Sequence, residues 1–221
     1  MNTVSISKTV RMAKEEGVTL LLRKLFTKLI YRRKTLVFMR CDLNTLTAQH
    51  ELSELYEIRV LQAEDLVHCR VYFEDHRKIY EALLKDKHVA YAAFEKSTNN
   101  IIGICWFAEN DYHDWHYHQC TFPVGTNQVL VFAGEVAPEF RKQKVGVNLM
   151  QDGLAYYRKK GREEAISTIA STNKPSFRTM FSIGWTEAGK LKHFHKLFGY
   201  RWQTVSQYNG ERFNHFRRRF P

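Results

Sequence analysis

The residues best suited to chemistry lie in a basic turn between a predicted strand and a predicted helix. A β-branched and apolar run ends at Pro138, and a helical pattern begins at Val145. Arg141, Lys142 and Lys144 lie between them. The start of a helix presents free backbone N–H groups and the positive end of the helix dipole. Together with three cationic side chains, such a turn is suited to binding a phosphate group.

A second helix with a recognisable start lies further along the chain. Asn173 is a good N-cap residue, and Pro175 is tolerated in the first turn of a helix. Gly184 is a typical residue at the end of a helix. The spacing therefore predicts a helix between Asn173 and Gly184.

Together these two segments resemble the GNAT superfamily of acyl-CoA-dependent N-acyltransferases. In that family a loop of the pattern Gln/Arg-x-x-Gly-x-Gly/Ala holds the pyrophosphate of coenzyme A, and a later helix starts with Asn-x-x-Ala/Ser and ends with Gly-Phe. Arg141 and Gly146 match the ends of the loop pattern, whereas Lys144 stands where the family has its first Gly. The second pattern is matched, in order and spacing, by Asn173, Ser176, Gly184 and Trp185.

The resemblance implies an acyl donor and the residues that bind it. The expected donor is acetyl-CoA or a related short acyl-CoA, with no metal ion. In the family, the strand before the loop splays away from the next parallel strand, and the pantetheine arm pairs with the exposed backbone. Gly134 is expected to support a bulge there, since Gly inside a strand often marks one. The expected cofactor-binding residues are Val136, Arg141, Lys142, Gln143, Lys144, Val145, Gly146, Asn173 and Ser176.

A catalytic base is expected on the strand that borders the acyl group. Glu135 is the carboxylate best placed by sequence to accept a proton from an ammonium group. The alternative is that Glu135 faces solvent or forms an ion pair with an Arg. Many family members carry a Tyr as general acid at the position of Met180, which has no proton to donate. The proton for the leaving thiolate must then come from water or from another residue.

The acceptor site is expected at an aromatic and polar segment, residues 111–118, between two predicted strands. GNAT proteins form part of their acceptor site there, and Asp114, His116 and His118 are the candidate substrate-binding residues. A His with an ordinary pKa near 6.5 is an alternative base. The spacing with His113 also resembles a set of metal ligands, but no Cys partner or helix fixes such a geometry. We therefore predict no metal site.

The order of predicted elements is that of the GNAT fold. This is an α/β (α+β) fold with a central, mixed, mostly antiparallel and splayed sheet flanked by helices. The resemblance covers residues 56–208, and we assign residues 56–221 to the acyltransferase domain. Strands are predicted at residues 56–61, 88–95, 101–108, 128–136, 165–170, 187–196 and 201–208. Helical material is predicted at 64–84, as one helix or two, and helices are predicted at 145–160 and from Asn173.

Residues 1–55 form an N-terminal extension with a basic amphipathic helix. Its apolar residues recur at helical spacing over residues 18–34, and a short strand is predicted at 35–39. One interpretation is that the apolar stripe packs on the domain or against a second copy of the chain. The other is that the helix meets an anionic membrane surface or an acidic partner.

Charge and composition narrow the classes of function. The 221-residue chain is 44% hydrophobic and carries a net charge of +11. Residues 1–40 contain ten Lys/Arg against two Asp/Glu, residues 211–221 contain four Arg against one Glu, and residues 41–210 are balanced. A protein that binds nucleic acid normally carries its positive charge on the folded domain, so we predict no such partner.

The expected compartment is the cytoplasm. No run of eighteen apolar residues occurs, and the N-terminus lacks the pattern of a signal peptide. The four cysteines are widely spaced without a Cys-x-x-Cys pair, which favours reduced, structural thiols.

The sequence therefore predicts an N-acetyltransferase that acetylates a primary amine of a small molecule or an amino sugar. One alternative is a longer-chain N-acyltransferase that takes its acyl group from an acyl carrier protein. The other is a GNAT-fold module that binds acyl-CoA without catalysis, which the residues at positions 144 and 180 leave open.

Overall fold

The computed structural model describes residues 31–46 and 53–217. Its strands are β1 (Tyr31–Asp42), β2 (Tyr56–Val60), β3 (Val89–Glu95), β4 (Ile101–Ala108), β5 (Tyr112–Asp114), β6 (Cys120–Phe122), β7 (Gln128–Val136), β8 (Glu164–Ala170), β9 (Thr186–Leu197) and β10 (Tyr200–Gln207). Its α-helices are α1 (Arg77–Lys85), α2 (Val145–Lys159) and α3 (Lys174–Ser182).

Eight of these strands form one mixed sheet in the order β10-β9-β1-β8-β7-β4-β3-β2. Neighbouring strands are antiparallel except β7 and β8, which are parallel. Strands β5 and β6 form a separate hairpin. The predicted fold class is confirmed: helices flank a central, mostly antiparallel sheet.

The parallel pair separates part of the way along its length. Pairing runs from Gln128 opposite Glu164 to Val131 opposite Ser167 and ends there, although β7 continues to Val136. At the last pair, the Ser167 hydroxyl donates a 2.7 Å hydrogen bond to the Val131 carbonyl. The later parts of β7 and β8 therefore border a gap in the sheet.

Strand β1 lies inside the sheet, between β8 and β9 and antiparallel to both. The short strand predicted at 35–39 is real but longer, and residues 31–34, which the sequence placed at the end of the basic helix, belong to it. The remainder of that helix lies outside the described residues. The domain boundary at residue 56 stays a prediction. The sheet itself contains strands from both sides of this boundary, because β1 precedes it.

The two faces of the sheet carry separate hydrophobic cores. Helices α2 and α3 cover one face, where Leu149 and Phe177 are buried. Helix α1 and the β5–β6 hairpin cover the other, where Tyr80 and Trp106 are buried. Gly103 allows α2 to pack closely on the sheet, because a Cβ at this position would lie 2.8 Å from a methyl group of Val145. The first residue of α2 is thus held directly against β4.

The helical segment predicted at 64–84 is interrupted. Only Arg77–Lys85 is α-helical, and Ala63–Cys69 and Glu74–His76 are 3-10 turns. Phe73 separates these turns with φ −132° and ψ 20°, outside the helical range. Its side chain is 5% exposed, so burial of Phe73 in the core outweighs the helical periodicity.

Two further observations concern compartment. The four cysteines are free thiols and all are buried. Over residues 31–46 and 53–217, no helix is both long and apolar enough to cross a membrane.

Candidate active site

The basic loop adopts a backbone conformation that favours glycine. Lys144, the N-cap residue of α2, has φ 59° and ψ 4°, in the left-handed region, and Lys142 has φ 69°. Lys144 makes no side-chain cap hydrogen bond, so the first N–H groups of α2 are not capped by that residue. Gly146 lies against the end of β7, because a Cβ there would lie 3.3 Å from a methyl group of Val136.

Lys144→Gly is therefore expected to stabilise the protein while weakening its affinity for acetyl-CoA. A left-handed Lys is strained relative to Gly, so we expect the free energy of unfolding to rise by about 0.5–1 kcal/mol. Loss of the ammonium group should raise the dissociation constant for acetyl-CoA. Urea unfolding and calorimetry measure the two effects. A less stable glycine variant would contradict the strain argument.

The backbone of Val136 faces the gap between β7 and β8. The N–H of Ala137 donates to the carbonyl of Ile102 at 2.9 Å, and Val136 lies opposite Gly103. Hydrogen-bonded and non-hydrogen-bonded pairs alternate in an antiparallel ladder, so Val136 turns its N–H and carbonyl away from β4. The Nε of Arg141 lies 3.4 Å from that carbonyl. This is the arrangement expected where an extended arm pairs with an exposed strand.

A β-bulge in β7 directs the residues that follow it. Trp106 lies opposite Phe132 and Ile104 opposite Glu135, so two residues of β7 oppose one of β4. The bulge predicted at Gly134 is present, but its left-handed residue is Ala133, with φ 45°. The bulge increases the local bend of the strand just before Glu135.

Glu135 lies on the face opposite α2 and pairs with a residue that the sequence did not indicate. Its Oε2 lies 3.0 Å from the Nδ1 of His76, which precedes α1. The carboxylate is 32% exposed. Burial raises the pKa of Glu135, and the proximity of His76 partly opposes this rise. The sequence offered an ion pair between Glu135 and an Arg as one alternative to catalysis. The observed partner of Glu135 is His76 instead.

Two tyrosines complete the surroundings of Glu135. The Tyr80 hydroxyl is buried and has no hydrogen-bond partner among the described residues. Burial, with a smaller contribution from Glu135, raises the pKa of Tyr80, which therefore stays protonated at neutral pH. Burial and Glu135 likewise raise the pKa of Tyr117, in the β5–β6 loop. His76 and Tyr80 lie far from Glu135 in sequence, so no local pattern could have identified them.

Asp114 organises the predicted acceptor loop. Its carboxylate accepts the backbone N–H groups of His116, Tyr117 and His118 at 2.9–3.1 Å. The residue is 4% exposed. Because these contacts occupy its oxygens, Asp114 shapes the predicted acceptor loop, and its contact with a substrate stays a prediction.

The side chains of the three histidines in this segment lie in different surroundings. The His118 ring stacks on Phe194 of β9, with ring centroids 4.8 Å apart, and His116 is exposed. His113 hydrogen-bonds Thr121 across the hairpin at 2.9 Å. Among the described residues, no group of three or more His, Cys, Asp or Glu is arranged to hold a metal ion.

The Asn173 helix has the predicted ends. Asn173 is exposed, and its side chain accepts the N–H of Ser176 at 3.3 Å. Gly184 has φ 92°, and the N–H of Trp185 donates to the carbonyl of Met180, which is the helix-ending pattern expected at a glycine. Met180 is 5% exposed in the core, so this position offers no proton donor.

These elements define a class of site. A helix start rich in N–H groups and cations lies at the end of a gap between the parallel strands β7 and β8, and β7 carries a half-buried carboxylate, Glu135. This site suits an acyl donor that carries phosphates and an extended arm.

Comparison with known families agrees with this class. The model of the acetyltransferase (GNAT) family matches residues 52–184. The chain therefore belongs to the GNAT acetyltransferase family, whose members use acyl-CoA as the donor. No curated protein matches the chain.

Solved structures share the fold at low sequence identity. A Drosophila protein is 16% identical with a TM-score of 0.55, over 82% of this chain and 58% of that one. A GCN5-related N-acetyltransferase from Sphaerobacter thermophilus is 14% identical with a TM-score of 0.54, over 82% and 57%. A tandem GNAT protein of the clavulanic acid pathway is 12% identical with a TM-score of 0.54, over 84% and 60%. The chain thus spans less than two thirds of the length of each of these proteins.

Proposed function

We propose that this acyltransferase is an N-acetyltransferase that moves the acetyl group of acetyl-CoA to a primary amine of a small molecule or an amino sugar. The observation that carries the proposal is the position of Glu135, on the strand bordering the gap and beside the predicted acceptor loop. A carboxylate there can accept a proton from an ammonium group.

The loop and the gap fit acetyl-CoA. Arg141, Lys142 and Lys144, with the first N–H groups of α2, would hold the pyrophosphate. The outward N–H and carbonyl of Val136 would pair with the pantetheine arm. Gln143, Val145 and Gly146 belong to the same loop and helix start, while Asn173 and Ser176 lie at the start of α3, which packs on α2.

The residues around the gap are suited to proton transfer. When bound, acetyl-CoA supplies a thioester carbonyl that a neutral amine can attack. Glu135 accepts the proton of the acceptor ammonium, and His76 beside it favours the ionised carboxylate. The Tyr80 hydroxyl stays protonated and can donate a hydrogen bond into the site. Most of the rate enhancement comes from holding the two reactants together.

A screen of amines with acetyl-CoA, read as release of free thiol, tests the proposal. We expect amine-dependent thiol release with one class of small amines or amino sugars, together with a mass increase of the amine by one acetyl group. Binding of acetyl-CoA without thiol release on any amine would refute the proposal and favour a binding module. Turnover only with a longer acyl group on a carrier protein would refute the assignment of the donor.

We also propose a cellular setting for the protein. It comprises a cytoplasmic location, no nucleic-acid partner, and contact of the N-terminal basic helix with a membrane, an acidic partner or a second copy of the chain.

A further inference from the structure

The predicted acceptor loop rests on a basic part of the sheet. His118 stacks on Phe194 of β9, and Lys34 of β1 lies directly opposite Phe194. Cross-strand partners project from the same face of a sheet, so Lys34 and the stacked ring lie on one side. The Nζ of Lys192 lies 5.3 Å from the ring centroid of Phe122 and 5.6 Å from that of Phe194. Two ammonium groups therefore flank His118.

Within residues 31–46 and 53–217, no carboxylate pairs with either of these lysines. Asp114 is the carboxylate that raises the pKa of His118. Its oxygens already accept three backbone N–H groups. The pKa of His118 is lowered by burial first and then by Lys34, with a further contribution from Lys192. The positive potential thus reaches the imidazole ring.

Positive charge continues along the same face beyond the lysine pair. Lys196 of β9 lies directly opposite Arg201 of β10. Like charges placed directly opposite each other destabilise a sheet. The stretch that carries both residues, 188–207, contains no Asp or Glu. Arg201 also donates to Gln119, the residue that follows the acceptor loop, at 2.6 Å, which places this charge beside the loop. An anion bound beside the loop would relieve the repulsion.

We propose that the acceptor amine also carries an anionic group, a carboxylate or a phosphate, and that Lys34 and Lys192 bind this group beside His118. The inference rests on the proposed function, because it names the kind of acceptor that this site takes. The flanking aromatic rings reduce solvent screening, which strengthens a charge-assisted contact.

Titration of His118 by NMR tests this inference without turnover. The ring resonance of His118, assigned with a His118→Gln variant, is followed while four amines are added to the full chain. Two probes are anionic, glucosamine 6-phosphate and 4-aminobutyrate, and two are their neutral counterparts, glucosamine and 4-aminobutyramide. We expect saturable shifts and a rise in the pKa of His118 with an anionic probe, and no such response with the neutral counterparts. A response to one anionic probe alone identifies the group as phosphate or carboxylate.

Charge-neutralising variants provide the control. The double variant Lys34→Gln/Lys192→Gln should weaken binding of the responding probe by about ten-fold or more. Lys96→Gln/Lys159→Gln removes the same charge from exposed positions elsewhere and should leave binding unchanged. The inference is overturned by equal responses to charged and neutral probes, by no response to either anionic probe, or by full binding in the Lys34/Lys192 variant. Failure of the thiol-release screen alone would refute the proposed function and not the anion site.

Discussion

Glu135→Gln is expected to lower kcat by about 10²-fold or more while leaving the affinity for acetyl-CoA unchanged. The substitution keeps the shape of the side chain and removes the proton acceptor beside His76. An ammonium group that is not deprotonated has no free electron pair to attack the thioester. The backbone groups that we expect to bind acetyl-CoA belong to Val136 and the α2 start and are not altered.

The pH dependence should identify the same carboxyl group. Because burial raises the pKa of Glu135, the basic form is lost on acidification at a higher pH than for an ordinary Glu, whose pKa is about 4.3. The acidic limb of the kcat/KM profile should therefore lie above that value in the native enzyme and disappear in the Gln variant.

The stability of the Gln variant should move in the opposite direction to its activity. A carboxyl group whose pKa is raised by folding stabilises the fold while it is protonated, and that stability is lost as the pH rises through the raised pKa. Once ionised, Glu135 thus weakens the fold relative to a neutral side chain. We expect the Gln variant to melt at a temperature at least as high as that of the native protein, measured by calorimetry.

Glu139→Gln is the matched control, since Glu139 is an exposed acidic residue a few positions further along. It should retain native kcat and the native pH profile. An unchanged acidic limb in Glu135→Gln would instead assign the proton transfer to a histidine of the acceptor loop or to water.

Local signals allowed the helix starts that carry the proposed cofactor-binding residues to be predicted from sequence. The loop that opens α2 and the Asn173 cap depend on residues close together in the chain, such as Gly146 and Ser176. Helix starts and ends are encoded by side chains that bond to the adjacent backbone, so their sequence patterns are specific. The same locality explains why Gly184 correctly marks the end of α3.

The surroundings of Glu135, the proposed base, depend on contacts between distant segments. His76 lies at the start of α1, at the end of the 3-10 turns that interrupt the helical segment, and contacts Glu135 of a strand about sixty residues later. The position of β1 between β8 and β9 likewise follows from long-range pairing, such as Leu36 with Ala170, which periodicity does not contain. The lysine pair beside His118 arises from the pairing of β1 with β9. The charge count did not indicate this pair, because charges balance over residues 41–210 and Lys34 lies outside that range.

Arg141→Glu and Lys144→Glu are each expected to weaken binding of acetyl-CoA by about ten-fold or more. Each replaces a cation at the start of α2 with a carboxylate that repels the pyrophosphate and competes for the N–H groups there. Since both side chains are exposed, the loss should be largest at low ionic strength and shrink as salt is added. Calorimetric titration with acetyl-CoA at two salt concentrations measures both effects.

Lys159→Glu makes the same change in net charge at the other end of α2, about 20 Å away along the helix axis. If the net charge of the protein attracted acetyl-CoA, this control would weaken binding as much as the two loop variants. If the loop holds the pyrophosphate, Lys159→Glu should bind acetyl-CoA with native affinity while Arg141→Glu does not. Native affinity in both loop variants would show that the phosphates bind elsewhere, and the gap beside Val136 would then need a different occupant.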